Sequence, residues 1–396
     1  MDGGKFSLMR STFNTSISMK AIKDGKKGVT SINQATKEAI DEAAAQCISA
    51  AQSSVPDEAE QIAPFTAKAE YKTGVFEPEL DKLFDRIEEF MSQTAAEYPK
   101  VILEQLISDY EHSEKLYMNT NGTSLKYEHG EYSFNTMFSA HEGEKASSFN
   151  GYFCALDSLD KPFMDAGMQR QLLAESEKQL DTVSPSEKFV GRVIYSPDCF
   201  NELLQTALEN FASSGVLIDG TSPWKDALNT KVASEKLNLR SVPLDGRTVV
   251  GQRFTSDGYP VEDMDIIIDG VLKTFILSQY GANKTGFPRS LNSGNNLEVL
   301  PGDKALEEMI SGIDRGLIVN RFSGGQPSSN GDFSGVAKNS FLIENGKVVS
   351  AVSETMISGN IIDMLNNIVA VSKEQTTDGL SFMPWAEFDG VTVSGK

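Results

Sequence analysis

The spacing of apolar residues along the chain changes between helical and alternating patterns. In the first 62 residues it predicts a strand, a turn at Asp24-Gly25, a second strand, and a helix that begins after Asn33. A second apolar stripe of helical period begins at Pro78, a residue suited to the first position of a helix, and ends before Pro99. These patterns place two helices near the amino-terminal end of the chain.

Between residues 101 and 156 the period becomes two. The clearest segment is residues 132–140, in which apolar or small residues alternate with polar ones. This alternation predicts an antiparallel strand with one buried face. The predicted buried side consists of Tyr132, Phe134, Thr136, Phe138 and Ala140. A helix is then predicted over residues 163–180, and Ser184-Pro185-Ser186 has the composition of a domain linker.

The second half of the chain begins with a predicted helix at Pro197, with Ser196 as its N-cap. Short strands follow, apart from one helix predicted over residues 360–371. The strands are separated by dipeptides that favour turns of positive φ, namely Asp245-Gly246, Asp257-Gly258, Asp269-Gly270, Asn345-Gly346 and Asp389-Gly390. We therefore predict an α+β protein with two domains. Residues 1–185 form an α+β domain with an antiparallel sheet and helices, and residues 186–396 a mainly antiparallel β domain.

Charge and composition narrow the classes of function. The chain has 36 Lys and Arg against 56 Asp and Glu, a formal net charge of −20. A field of this sign repels polyanions, which argues against direct binding of nucleic acid. The three cysteines are far apart and form no CxxC pair, so we expect reduced thiols and no cysteine-rich zinc module. No apolar run approaches the roughly 20 residues that span a bilayer, and no signal-peptide pattern is present, so we expect a cytoplasmic protein.

The sequence gives little support for metal binding or acid–base catalysis by histidine. His141-Glu142 matches the start of a zinc-protease motif, but that motif needs a second histidine one helical turn later. Lys145 and Ala146 occupy the positions where it would stand, and the local period is that of a strand. From its residues alone, the sequence shows no catalytic centre.

The segment from residue 324 to residue 335 has an unusual density of glycine. Such a segment lets another backbone approach closely, as in peptide or anion capture, but it is equally typical of a flexible hairpin loop. Both interpretations stay open at this point. The candidate substrate-binding residues are Gly324, Gly325, Asn330, Gly331, Asp332, Phe333, Ser334 and Gly335.

The residues around this loop resemble a known family. The run from Gly312 to Gly359, which contains Asn330-Gly331-Asp332-Phe333-Ser334-Gly335, is similar to the carboxyl-terminal signature of the TldD/PmbA (TldE) proteins, also named modulators of DNA gyrase. Asp257-Gly258-Tyr259-Pro260 and Asn119-Thr120-Asn121-Gly122 resemble further family segments. Family members usually begin with an extra helix and strand, which we expect to be shortened or absent in this chain.

The resemblance implies a cytoplasmic peptidase of two related subunits. The TldD-like subunit carries zinc through His-Glu-x-x-x-His on a helix and a distant cysteine, and unfolded peptides pair as a strand against the chamber wall. The corresponding helix in this chain, Leu203–Phe211, contains no histidine, and no cysteine follows Cys199. The resemblance is therefore to the PmbA/TldE side. It implies no catalytic and no metal-binding residue in this chain, with zinc in a TldD-like partner and the 324–335 loop at the chamber wall.

Two other functions stay open on the sequence. This chain alone could be a metallopeptidase with unusual ligands such as His141, Glu142 and nearby carboxylates. Alternatively, it could be a homodimeric peptide-binding protein without catalysis. The zinc content of the purified chain and the capture of a TldD-like partner would distinguish these functions.

Overall fold

The computed structural model describes residues 6–353 and 355–395. In this part of the chain the α-helices are α1 (Lys37–Ser53), α2 (Leu80–Glu97), α3 (Gln169–Lys178), α4 (Pro197–Ala212), α5 (Ser214–Ile218), α6 (Gln279–Thr285), α7 (Leu306–Ser311) and α8 (Ile361–Asn366). The strands of the amino-terminal half are β1 (Ile17–Lys23), β2 (Lys26–Ile32), β3 (Lys68–Gly74), β4 (Val101–Met118), β5 (Ser124–Glu142), β6 (Lys145–Ala146), β7 (Asn150–Leu156) and β8 (Thr182–Val183).

The strands that follow are β9 (Phe189–Tyr195), β10 (Leu239–Ser241), β11 (Met264–Ile268), β12 (Val271–Leu272), β13 (Leu297–Val299), β14 (Arg315–Val319), β15 (Arg321–Gly324), β16 (Asp332–Lys338), β17 (Ser340–Glu344), β18 (Lys347–Val352), β19 (Met356–Asn360), β20 (Ile368–Thr377) and β21 (Phe382–Ser394). A short 3-10 helix covers Phe163–Asp165.

The amino-terminal unit is a β-hairpin covered by one helix. Asp24 and Gly25 adopt φ values of 54° and 71° in the turn between β1 and β2, as a two-residue hairpin loop requires. The Cys47 thiol of α1 donates to the Gly28 carbonyl of β2 over 3.3 Å. The predicted order of strand, turn, strand and helix is confirmed.

A five-stranded sheet follows, built on the long antiparallel pair of β4 and β5. β3 pairs parallel with the first half of β5, and β7 pairs antiparallel with its second half. In that second half the predicted inward face is buried, and Phe90 of α2 meets Phe134 edge to face with ring centroids 5.0 Å apart. In the first half the opposite face is buried, where Arg253 lies over the Tyr127 ring at 5.6 Å.

The carboxyl-terminal half forms a sheet to which the described residues contribute fourteen strands. The order is β12-β11-β10-β13-β21-β9-β14-β17-β18-β8. A branch runs from β21 through β19 and β16 to β15, and β20 also pairs with β21. Most neighbours are antiparallel, but β9 with β14, β13 with β21 and β8 with β18 are parallel. The α+β class is confirmed, with sheets that are mixed rather than purely antiparallel.

Two apolar clusters lie on this large sheet. The first packs α4 and α8 against it and contains Phe200, Phe211 and Phe388. The second joins helices α2 and α3 to Ile194 and Trp385 of the sheet. Ser184-Pro185-Ser186 is irregular backbone between β8 and β9, and the division into domains at residue 185 stays a prediction.

Several boundaries differ from the predicted ones. The helix expected over 163–180 is interrupted at Gly167, whose φ of 45° lies outside the right-handed helical region. The helix expected over 360–371 ends at Asn366, because the β-branched segment that begins at Ile368 pairs with β21. Asp389-Gly390 lies in an irregularity within β21, where the register with β9 shifts, and does not form a hairpin turn.

The close packing of α1 on β2 yields a test of the amino-terminal unit. A Cβ atom on Gly28 would lie 2.0 Å from the Cys47 carbonyl oxygen and 2.5 Å from the Ala51 nitrogen. We expect Gly28→Ala to lower the free energy of unfolding by about 1–3 kcal/mol, the usual cost of overpacking. Urea unfolding with hydrogen exchange of α1 measures the change. Gly246→Ala, where no atom lies within 4 Å of the new Cβ, is the control, and equal stability of both variants would contradict this packing.

Candidate functional site

Helix α4 presents one line of side chains to a surface cleft. Cys199, Glu202, Leu203 and Thr206 line the cleft, at positions i, i+3, i+4 and i+7 of one helical face. Cys199 and Leu203 are buried, whereas Glu202 is exposed at the mouth. Phe200 and Leu204, which lie between them in sequence, are buried in the core, so the helix is held firmly against the sheet.

The hairpin of β15 and β16 forms the opposite wall, and two of its glycines support an aromatic ring. A Cβ atom on Gly324 or on Gly335 would lie 2.5 Å from Cζ of Phe322. The Phe322 ring therefore lies across both glycines, and it meets Phe333 edge to face with centroids 5.6 Å apart. Glycine at these positions leaves room for a side chain that forms part of the cleft wall.

The cleft encloses about 250 Å³. This is slightly below the roughly 300–1,000 Å³ of pockets for drug-sized ligands, so it accommodates a side chain and a short stretch of backbone. Its floor is apolar and its mouth polar. The lining residues other than those of α4 are Tyr195, Phe322, Ser323, Gly324, Gly325, Gln326, Pro327, Phe333 and Ile361.

One edge of the hairpin is open along this cleft. Among the described strands, β15 pairs with β16 alone. Ala337 of β16 donates its N–H to Thr355, away from β15, and it lies opposite Phe322. Because opposed residues of an antiparallel pair share one orientation, Phe322 and, two residues on, Gly324 direct their backbone groups away from β16. The Phe322 N–H faces the Cys199 thiol of α4, so it is Gly324 that offers its backbone groups to a ligand at this edge. A strand-shaped ligand would find hydrogen-bonding groups there.

Burial sets the pKa values of the titratable groups of the cleft. It raises the pKa of the Cys199 thiol well above its usual value, although a hydrogen bond from the Phe322 backbone acts to lower it. Burial also raises the pKa of the Tyr195 phenol. The pKa of the Glu202 carboxyl is raised by partial desolvation and lowered by the charge of Arg321, with desolvation the larger cause. At neutral pH the thiol and the phenol keep their protons.

These donors do not fit a zinc ion. A catalytic zinc site needs three protein ligands, usually neutral imidazoles, thiolates or carboxylates. The cleft offers one exposed carboxylate and a buried, protonated thiol, while His112, His129 and His141 all lie on β4 or β5. Within residues 6–353 and 355–395, no group of three or more His, Cys, Asp or Glu side chains is placed to hold a metal ion.

The two residues of the incomplete zinc-protease motif have neighbours in their own sheet. Nε2 of His141 lies 2.9 Å from the Ser139 hydroxyl. The Glu142 carboxylate forms an ion pair with Lys100 at 2.8 Å. These contacts are typical of polar residues at the end of a strand.

Only some of the predicted binding residues reach the cleft. Gly324, Gly325 and Phe333 line it, whereas Gly335 supports the Phe322 ring and Ser334 is exposed. A role in binding peptide stays a prediction for all eight residues.

The remaining three predicted residues lie where the loop between β15 and β16 ends, and this turn contacts the first residue of α8. Asn360 donates through Nδ2 to the Asn330 carbonyl and to the Asp332 carboxylate, each over 2.9 Å. Its Oδ1 accepts from the Ile362 N–H and so caps α8. Gly331 adopts a φ of +93° in this turn. The hydrogen bonds from Asn360 and Asn330 lower the pKa of Asp332, which gives these residues a structural function.

The sequence did not reveal the contributions of α4 and β15. Cys199 and Leu203 lie on an apolar stripe of helical period, which is typical of a face that packs into a core, and Glu202 and Thr206 continue the same face. Polar residues that interrupt an apolar stripe at i+3 and i+7 were the available signal. No local pattern marked Phe322, because its place depends on glycines on two strands.

The chain belongs to the PmbA/TldD family of metallopeptidases. The family model described as the PmbA/TldA metallopeptidase C-terminal domain matches residues 188–395, more than half of the chain. The model of domain 1 of the same metallopeptidases matches residues 1–51. The cleft between α4 and β15 lies within the first of these matches.

Individual relatives match parts of the chain. Metalloprotease PmbA of Escherichia coli O157:H7 is 32% identical over 155 residues, which cover 38% of this chain and 34% of that protein. A zinc metalloprotease TldD homolog of Saccharolobus solfataricus is 28% identical over 220 residues, 52% of this chain and 49% of that protein. The chain thus spans about a third to a half of the length of these curated relatives.

Two solved structures share the fold over the whole chain. TldE from Thermococcus kodakarensis has a TM-score of 0.83 at 21% sequence identity and covers 100% of this chain and 93% of its own. A candidate modulator of a DNA gyrase from Thermotoga maritima has a TM-score of 0.81 at 19% identity, with coverages of 100% and 92%. Separately, none of the helices formed by the described residues has the length and apolar character needed to cross a membrane.

The support of the Phe322 ring by glycine is testable. A methyl group on Gly335 would displace the ring and would also lie 2.7 Å from Cα of Gly324. We expect Gly335→Ala to lower the free energy of unfolding by about 1–3 kcal/mol. Gly325→Ala, with no atom within 4 Å of the new Cβ, should change it by less than about 0.5 kcal/mol. Chemical denaturation measures both values, and two equal losses would show that the glycines have no such function.

A buried pair on β5 yields a prediction of pH dependence. Nε2 of His129 lies 3.1 Å from Oε2 of Glu131. Burial lowers the pKa of His129 and raises the pKa of Glu131 to about 7, with the Glu111 charge a further cause for Glu131. The folded state therefore holds a proton on Glu131 that the unfolded state releases near its ordinary value of 4.5, so this contribution to stability is lost as the pH rises towards and through 7.

Glu131→Gln removes this titration. Relative to the unmodified protein, we expect the variant to gain roughly 1–3 kcal/mol of unfolding free energy between pH 5 and pH 8. Denaturation curves at several pH values measure the difference, with the exposed Glu144→Gln as the control. A difference that does not change with pH would contradict the buried state of Glu131.

Proposed function

We propose that this chain is the non-catalytic, PmbA/TldE-like subunit of a cytoplasmic TldD/TldE-type zinc metallopeptidase that acts on unfolded peptides. The observation that carries the proposal is the cleft between α4 and β15. It has an apolar floor and an open strand edge, and its donor atoms do not suit zinc. It lies within the segment that the metallopeptidase family model matches.

The chemistry of this subunit would be that of strand binding. An extended peptide would pair with the backbone groups of Gly324 at the open edge of β15, a mode of binding that tolerates many sequences. Phe322 and Phe333 would contact one of its side chains. The zinc of a TldD-like partner would supply the polarisation of the scissile carbonyl and the activation of water.

The proteins that are similar to this chain include both a TldE and a TldD homolog, the two subunit types of such an assembly. The structure from Thermococcus kodakarensis is a TldE, and the relative from Saccharolobus solfataricus is a zinc metalloprotease TldD homolog. The open edge of β15 would equally serve a homodimeric peptide-binding protein without catalysis. The partner of this chain is therefore the point that an experiment must decide.

Co-expression with a TldD-like chain tests the proposal. We expect the two chains to co-purify, zinc to accompany the pair, and an unfolded peptide to be cleaved by the pair in a reaction that a chelator abolishes. We expect this chain alone to contain no stoichiometric zinc and to cleave nothing. Chelator-sensitive cleavage by this chain alone would overturn the proposal in favour of a stand-alone metallopeptidase. A stable homodimer that binds peptide and ignores the TldD-like chain would favour the binding protein.

A further inference from the structure

The mouth of the cleft holds an unneutralised negative charge. In the described part of the chain, the carboxylate of Glu202 forms no ion pair and no side-chain hydrogen bond. Arg321 acts on it through its charge, and Nη1 of Arg321 donates to the Phe149 carbonyl over 3.0 Å. Because Glu202 is exposed at the mouth of the cleft, the cation of a ligand that enters the cleft can reach its carboxylate and pair with it.

The floor beneath this charge has the opposite character. Phe322, Phe333, Leu203 and Ile361 supply apolar surface around the cavity of about 250 Å³. An aliphatic or aromatic side chain that enters it leaves water and gains dispersion contacts. A charged side chain would lose its hydration there without a partner.

We propose that the cleft selects peptides in which an apolar residue is accompanied by a nearby Lys or Arg, the apolar side chain entering the cavity and the cation pairing with Glu202. This inference rests on the proposed function, since it assumes that the open edge of β15 binds a peptide strand. It adds that the non-catalytic subunit contributes sequence preference to the assembly. Glu202 is the specificity-determining residue.

The charge of the whole molecule acts in the same direction. With a formal net charge of −20, the chain attracts cationic peptides at long range and repels acidic ones. That general effect acts wherever a positive charge lies in the peptide. Pairing with Glu202 acts only when the cation lies near the apolar anchor, so the position of the charge separates the two causes.

Fluorescence anisotropy with the full chain measures this selectivity. The probes are labelled Gly/Ser peptides with a single Leu and either Lys or Glu, placed next to Leu, two residues away, or at the far end. We expect the Lys peptide to bind about three- to tenfold more tightly than the Glu peptide when the charge is near Leu. The ratio should be smaller with the charge at the far end, and it should decrease in high salt.

Two variants assign the effect to one residue. Glu202→Gln should remove the near-position preference, because it removes the charge with which the Lys side chain pairs. Glu209→Gln makes the same change of charge on the same helix at an exposed position outside the cleft, and it should retain the preference. A preference that survives Glu202→Gln, or that does not depend on the position of the Lys, would overturn the inference.

The peptide-binding measurements distinguish an error about Glu202 from an error about the proposed function. If the Leu peptide binds without any preference for Lys, the strand-binding site stands and the specificity of Glu202 is wrong. If no peptide binds, either to this chain or to its complex with a TldD-like chain, the proposed function fails together with the inference.

Discussion

The contact between the Phe322 ring and two glycines determines the shape of the candidate site. Gly324 and Gly335 face each other across β15 and β16, and the absence of side chains on both lets the ring lie over the hairpin. With the ring in this place, the hairpin presents an apolar wall to α4 and leaves its outer backbone edge open. A bulkier residue at either glycine would require the ring to move into the cleft.

The rest of the fold fixes the positions of α4 and of the β15–β16 hairpin. Helix α4 is fixed by the apolar cluster on the large sheet, and β16 is held by β19, which pairs with β21. The Asn360 side chain, at the start of α8, bonds to the turn between β15 and β16 and so fixes the far end of the hairpin. A rigid scaffold therefore supports a cleft in which backbone groups, an apolar floor and one carboxylate converge. This combination suits an extended peptide better than it suits a metal ion.

Turn dipeptides and apolar periodicity in the sequence predicted those turns and strands whose structure depends on neighbouring residues alone. Asp24-Gly25 and Asn345-Gly346 form the expected turns of positive φ, and the alternation from Tyr132 to Ala140 marks a buried strand face. The glycine-rich segment indicated the hairpin, but not that Gly324 and Gly335 make room for a side chain of the same chain. Features that depend on pairing between strands distant in sequence could not be predicted from local patterns. They are the parallel pairing of β9 with β14, the irregularity at Gly390 and the position of Phe322 opposite Cys199.

If a peptide binds as an added strand at the open edge of β15, as we propose, it covers the backbone amides that face this edge. Hydrogen exchange of single backbone amides, with and without a saturating unfolded peptide, detects such a strand. We expect the amide of Gly324 to exchange fast in the free chain and slowly in the complex, while the amide of Ser323, which faces β16, is protected in both states. Binding of the peptide without any slowing at Gly324 would rule out this mode of binding.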